Sequence, residues 1–142
     1  MGKRGFLEGL NERNILKKIR RRFVNSFLDI IILDRVDSVP CINGYAIIEY
    51  VFHKFNILLS SGSVYSTLYA MEREGLIVGV WNGRRRVYRI TPEGKKIIEI
   101  IRKRINVINS LFGEVIAQKR ETGRKETPSS LESMRTSLAS SI

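Results

Sequence analysis

Three consecutive arginines, Arg84, Arg85 and Arg86, follow Asn82-Gly83, and Tyr88 and Arg89 come directly after them. Guanidinium groups crowded together repel one another and add little to folding, so either water solvates them or an anion compensates them. A phosphate backbone or a narrow minor groove is the natural anion. Upstream, Ser60–Glu74 reads SSGSVYSTLYAMERE. If Val64, Leu68 and Met71 point inward, then Ser63, Ser66, Thr67, Ala70 and Arg73 point outward and Tyr69 lies near the boundary. A merely solvated face would carry lysine and glutamate. Small hydroxyl side chains instead let a helix sit deep in a groove and bond base edges or phosphates, although packing against another subunit would also suit a face so low in charge. Only Arg73 offers bidentate base readout here. Other chemistry is thinly supplied. One cysteine, Cys41, excludes an internal disulfide and a zinc site, and it is read as filling a small buried gap. His53 has no second histidine to support a metal or a catalytic triad. No enzyme activity, cofactor or metal is expected.

The elements that must hold these residues can be read around them. Ile15, Ile19, Phe23 and Phe27 recur every four positions, so a basic amphipathic helix is expected from near Asn11, running into a buried helix over Phe23–Leu33. Pro40 and Asn43-Gly44 punctuate the chain. A second helix is expected over Gly44–Phe55, with Ile47, Ile48, Val51 and Phe55 inward and Asn56–Leu59 as the turn after it. Ser60 should cap the third helix, which carries the stripe Val64, Leu68, Met71 and ends at Gly75, where a left-handed residue costs least. Leu76–Val80 and Arg86–Ile90 are expected strands joined through Asn82-Gly83, with Trp81 packed on the sheet or the first helix, or free to stack on a base or ligand. Thr91-Pro92-Glu93 opens the last helix. The fold class is therefore mainly α (α+β): a winged helix-turn-helix, with a helix sized for a major groove beside a cationic hairpin.

Charge supports a polyanionic partner. The chain of 142 residues holds 25 Lys+Arg against 14 Asp+Glu, a formal net charge of +11, and such a field raises encounter rates with nucleic acid. Solubility alone is the plainer use of that charge. No apolar run is long enough to span a bilayer, and the basic N-terminus lacks the apolar stretch of a signal peptide, so the expected place is the cytoplasm, at the nucleoid. Residues 1–22 carry eight basic residues and two acidic ones. As a helical extension they could grip flanking phosphates, extend a dimer interface or lie on an anionic membrane. Residues 23–91 form the expected DNA-binding domain, 92–118 the last helix, and 119–142 a Ser/Thr-rich flexible tail.

The last helix carries its own signal. Ile98, Ile101, Ile105, Ile108, Phe112 and Val115 alternate at spacings of three and four, as on the seam of a coiled coil. A small winged domain has little surface on which to bury such a stripe, so pairing with a second copy is expected, against the alternative of a helix folded back on its own core. Two recognition helices about one helical turn apart would fit a palindromic site. Arg102, Lys103 and Arg104 interrupt the stripe and are read as solubilising.

Three blocks carry a family resemblance: Val39–Tyr45 (VPCINGY), Ser60–Ile77 (SSGSVYSTLYAMEREGLI) and Arg84–Gly94 (RRRVYRITPEG). Together, across about residues 23–112, the chain resembles the PadR-like transcriptional regulators. The resemblance implies a dimeric winged-helix repressor whose C-terminal helix mediates dimerisation and which a small molecule or other signal releases from DNA; which effector is unknown. Gly44 and Tyr45 match the start of the family's second helix. Ser60, Gly62, Ser63, Tyr65 and Leu68 match its recognition-helix signature, in which the tyrosine touches the phosphate backbone. Glu72, Gly75 and Leu76 match the helix exit, and Tyr88, Thr91, Pro92, Glu93 and Gly94 the end of the wing. Asn43, Ser61 and Ser66 depart from the usual His, Pro and Pro.

The expected DNA-binding residues are thus Tyr45, Ser61, Gly62, Ser63, Tyr65, Ser66, Thr67, Tyr69, Arg73, Arg84, Arg85, Arg86 and Tyr88. The leading expectation is a homodimeric, sequence-specific regulator of double-stranded DNA that represses transcription. An architectural DNA binder without sequence preference and a winged-helix adapter for protein or RNA are the alternatives.

Overall fold

Asn11 accepts a hydrogen bond from the Asn14 amide at 2.8 Å and so caps the first helix, α1 (Glu12–Ser26). The computed structural model describes residues 11–116, so the first ten residues and the 119–142 tail lie outside the described residues. A break at Phe27 separates α1 from α2 (Leu28–Ser38), where a single buried helix was expected from Phe23. Val39 is extended ahead of Pro40, as proline demands of the residue before it. A two-residue strand, β1 (Ile42–Asn43), leads into α3 (Gly44–Phe55), which ends on a left-handed Asn56. The recognition-type helix α4 (Ser61–Arg73) follows, then β2 (Ile77–Asn82), β3 (Arg85–Ile90) and α5 (Pro92–Lys103). A further helix, α6 (Ile105–Val115), belongs to a second compact unit that begins at Ile105.

The architecture is a winged helix-turn-helix: mainly helical, with one antiparallel sheet in the order β1-β3-β2. Its core gathers Val24 of α1, Leu28, Ile32, Leu33 and Val36 of α2, Ile47 and Val51 of α3, and Val64, Leu68 and Met71 of α4. Each of these is at most 4% exposed, and the spacings of three and four place them on one stripe per helix.

Helix termini are fixed by local chemistry. At the end of α4, the Leu76 amide bonds the Met71 carbonyl and the Gly75 amide bonds the Glu72 carbonyl, each at 3.0 Å. That pair of bonds is the Schellman exit, and it requires the left-handed φ of +77° found at Gly75. Thr91 caps α5 by accepting from the Gly94 amide, while its hydroxyl donates to the Gly75 carbonyl at 2.6 Å. Two helix ends are therefore tied through one side chain.

The α5 helix is clamped to α2. Arg102 pairs with Asp37 at 2.6 Å and Asp34 at 2.7 Å, and Lys95 pairs with Asp37 at 2.8 Å. Hydrogen bonds from Lys95 and then Arg102 hold the Asp37 carboxyl below the usual carboxylate range. Arg102, expected merely to keep the helix soluble, is thus a structural tie. Lys95, Ile98 and Arg102 lie on one face of α5 at spacings of three and four, and that face meets α2. Ile98, expected on a seam with a second copy, is 1% exposed and belongs to the core of its own chain.

Candidate nucleic-acid interface

The leading turn of α4 is built by serines. Ser60 accepts from the Ser63 amide at 3.1 Å and donates its hydroxyl proton to Ser63 Oγ at 2.8 Å. Ser61, Gly62 and Ser63 are exposed on this turn, where the free N–H groups and the positive end of the helix dipole favour an anion. Further along, Ser66 and Thr67 both donate to the Ser63 carbonyl, at 3.1 and 2.8 Å. Their hydroxyls are occupied by the helix backbone, as is common for such residues within helices. Tyr69 is 47% exposed and Arg73 is exposed at the helix end.

The start of α3 is shaped to meet Tyr65. Asn43 caps α3 by accepting from the Ala46 amide at 2.8 Å, the role open to a short amide in this position. A Cβ on Gly44 would sit 2.8 Å from the Tyr65 ring. Glycine there lets the half-buried ring lie against α3, with Tyr69 beyond it at 6.3 Å between ring centroids. Tyr45 projects beside them and is 65% exposed.

The wing is a tighter hairpin than expected. Asn82 faces Arg85 in the register, so the turn residues are Gly83 and Arg84. Gly83 takes φ +63° and Arg84 is not among the positive-φ residues, which fits the type II′ turn with glycine first. Arg84 and Arg85 are exposed at the tip and have no ion pair or side-chain hydrogen bond among the described residues.

Two expected DNA contacts are engaged elsewhere. Arg86 donates through one nitrogen to both carboxylate oxygens of Glu72 on α4, at 2.8 and 3.0 Å, and its side chain crosses Gly79, where a Cβ would lie 2.6 Å from Nε. Arg86 thus ties the wing to α4. Its guanidinium also lies 5.7 Å from the Trp81 ring. Tyr88 is fully buried on the central strand, and that burial pushes its phenol pKa up. It belongs to the core and not to the outer face.

Asn43, Tyr45, Ala46, Glu49, Tyr65, Tyr69 and Trp81 join the three arginines around one cleft of about 710 Å³ between α3, α4 and the wing. Sequence reasoning missed Asn43 as a cap, and Ala46 and Glu49 altogether; the signal that could have found the last two is helical spacing, since they lie off the inward stripe of Ile47 and Val51 on the same side of α3 as Tyr45. Trp81, expected on the sheet or the first helix, stands 68% exposed at the cleft. Cys41, expected in a buried gap, is exposed with φ +60°, and its sulfur accepts from Arg89 Nε at 3.2 Å.

The expected seam divides. Ile101 of α5 is half-buried. In α6, Ile105, Ile108 and Phe112 are 37–45% exposed and Val115 is 76% exposed, with no buried residue in that helix. Helical hydrogen bonding closes at Arg104, so the helix expected as one over 92–118 is two helices within the described residues. Among the described residues, no helix is long and apolar enough to cross a membrane, and no group of three or more His, Cys, Asp or Glu could hold a metal ion.

A hydroxyl-bearing second helix of a helix-turn-helix, set beside a cationic hairpin, defines the class of winged-helix DNA-binding regulators. The family model "Transcriptional regulator PadR-like family" matches residues 32–100, and the chain belongs to that family. It is a transcriptional regulator, with DNA as its partner, and not an enzyme. Among solved structures it is similar to a PadR family transcription regulator from Clostridium difficile R20291, at 26% identity and TM-score 0.56, over 63% of this chain and 97% of that one. A transcriptional regulator from Clostridium thermocellum matches at 22% identity and TM-score 0.58, over 67% of this chain and 95% of that one. A PadR family regulator from Eggerthella lenta matches at 20% identity and TM-score 0.61, over 75% of this chain and 96% of that one. The last two likenesses are of fold. No curated protein matches the chain.

Proposed function

We propose that the chain is a homodimeric, sequence-specific repressor that works in the cytoplasm, on the nucleoid. The α4 helix enters the major groove through Ser61, Gly62 and Ser63. Tyr45, Tyr65 and Tyr69 meet the backbone at the groove edge, and Arg73 meets DNA at the far end of α4. Arg84 and Arg85 hold phosphates or enter the adjacent minor groove. Dimerisation uses the apolar residues of α6 (Ile105, Ile108, Phe112 and Val115), because pairing with a second copy would remove them from water; Ile101 of α5 is a separate candidate for the same pairing. The observation that carries this reading is the placing of two unpaired arginines, at and beside a two-residue turn, on the same cleft as Tyr65 and Tyr69 of α4. Any small-molecule effector would act by favouring a form of the dimer that fits DNA less well.

One observation favours a second reading. Ser66 and Thr67 spend their hydroxyl protons on the Ser63 carbonyl, which leaves α4 few donors for base edges and suits an architectural binder. Binding-site selection from random duplex DNA with the purified full chain separates the two. A repressor is expected to enrich a two-fold symmetric motif with half-sites about one helical turn apart. A pool retained without enrichment would support the architectural role, and failure to retain any duplex would point to the protein or RNA adapter.

A further inference from the structure

The α1 helix lies outside the family match at residues 32–100, and the winged-helix mechanism gives it no task. Its cations are arranged all the same. Arg13, Lys17 and Arg20, at spacings of four and three, share one side of the helix. With Asn11, Glu12 and Leu16 of the same segment, and Phe55 and Asn56 from the end of α3, they line a groove of about 730 Å³. All three are exposed, and none has an ion pair or side-chain hydrogen bond among the described residues. Among the described residues, Glu12 is the only acid on that groove. Unpaired like charges at these spacings on a helix cost stability, so folding alone gives no reason for the stripe.

The position of the groove identifies the anion. Asn56 opens the turn of the helix-turn-helix, and Ser60, the cap of α4, lies four residues further on. The stripe is therefore continuous with the segment that delivers α4 to its groove. From Arg13 to Arg20 the helix rises about 10 Å, the axial length of about three successive phosphates on one strand. We infer that α1 is a second phosphate-binding surface, in which Arg13, Lys17 and Arg20 grip the DNA backbone flanking the site occupied by α4 and the wing. This inference rests on the proposed DNA-binding function. It adds a longer footprint and a larger electrostatic share of the affinity, with no base readout.

The test is fluorescence anisotropy with the full-length chain and its triple variant Arg13→Ala, Lys17→Ala, Arg20→Ala. The probes are the selected duplex trimmed to its motif and the same duplex extended by about ten base pairs on each side, one helical turn. Native protein is expected to bind the extended duplex at least tenfold more tightly than the trimmed one, and the variant to lose that gain. On the extended duplex the variant's log–log salt slope should be shallower by roughly 5.4, from three cations in each of two chains. Circular dichroism melting of the variant controls for folding, and conservative restoration as Arg13→Lys, Lys17→Arg, Arg20→Lys should recover the length-dependent gain. An equal gain on extension for native and triple variant would overturn the inference, as would a variant defective only in binding vesicles of anionic lipid. Loss of binding to both duplexes by the native protein would instead remove the DNA-binding reading itself.

Discussion

Replacing Arg84 and Arg85 together by alanine is expected to weaken duplex binding by roughly a thousandfold near physiological salt. The loss comes from counterion release. Two unpaired guanidinium groups per chain, in a dimer, neutralise four phosphates, and each contributes about 0.9 to the log–log dependence of affinity on salt. The variant's slope should therefore be shallower by roughly 3.6, with specific and random duplexes affected alike, because phosphate contacts position the protein without reading sequence. Anisotropy titrations at several salt concentrations measure both quantities. A variant that keeps the native slope and only changes its preferred site would contradict the assignment. Arg86 is excluded from the pair because its guanidinium is held by Glu72. Its removal should loosen the wing against α4 and leave most of the salt slope intact.

Gly94→Ala is expected to cost about 3 kcal/mol of stability and to lower Tm by more than about 10 °C. A Cβ at this position would lie 2.1 Å from the Leu76 carbonyl oxygen, and that neighbour is backbone and cannot rotate away. The first turn of α5 would have to retreat, weakening the Thr91 cap that receives the Gly94 amide. Better helix propensity of alanine returns only about 1 kcal/mol. Gly62→Ala is the matched control: nothing lies within 4 Å of its added carbon, so only the propensity gain acts and its melting point should be native or a few degrees higher. Thermal melts followed by circular dichroism decide the point, and equal Tm values for the two variants would refute the packing account.

Much of the scaffold is legible because it is written in local chemistry. Ser60, Gly75 and Thr91-Pro92 act at the termini where their side chains or φ angles are needed, and the stripe Val64, Leu68, Met71 is the face that α4 buries. What is illegible depends on partners distant in sequence. The β1 strand has only two residues, Ile42 and Asn43, too few to show alternation, and it exists through pairing with Tyr88 and Val87. Three adjacent arginines look alike in sequence, yet strand alternation sends Arg85 and Arg86 to opposite sides, and only Arg86 meets Glu72. Tyr88 lies two residues on from Arg86, on the strand at the centre of the sheet, which is why it is buried. Ile98 fits a heptad pattern equally well as seam or core. The decisive hint is charge, since Lys95 and Arg102 flank it at a spacing of seven and match Asp34 and Asp37 on α2. The break at Arg104 has no proline or glycine to announce it.

On the proposed function, two copies of this chain hold one duplex through α4 and the wing. The decisive measurement is a titration of the protein into its selected duplex, with complex mass read by sedimentation and affinity read across a salt series. The expected result is saturation at two chains per duplex, with a log–log slope of roughly −5 to −9, as six to ten neutralised phosphates require. Saturation at one chain, or an affinity indifferent to salt, would contradict it.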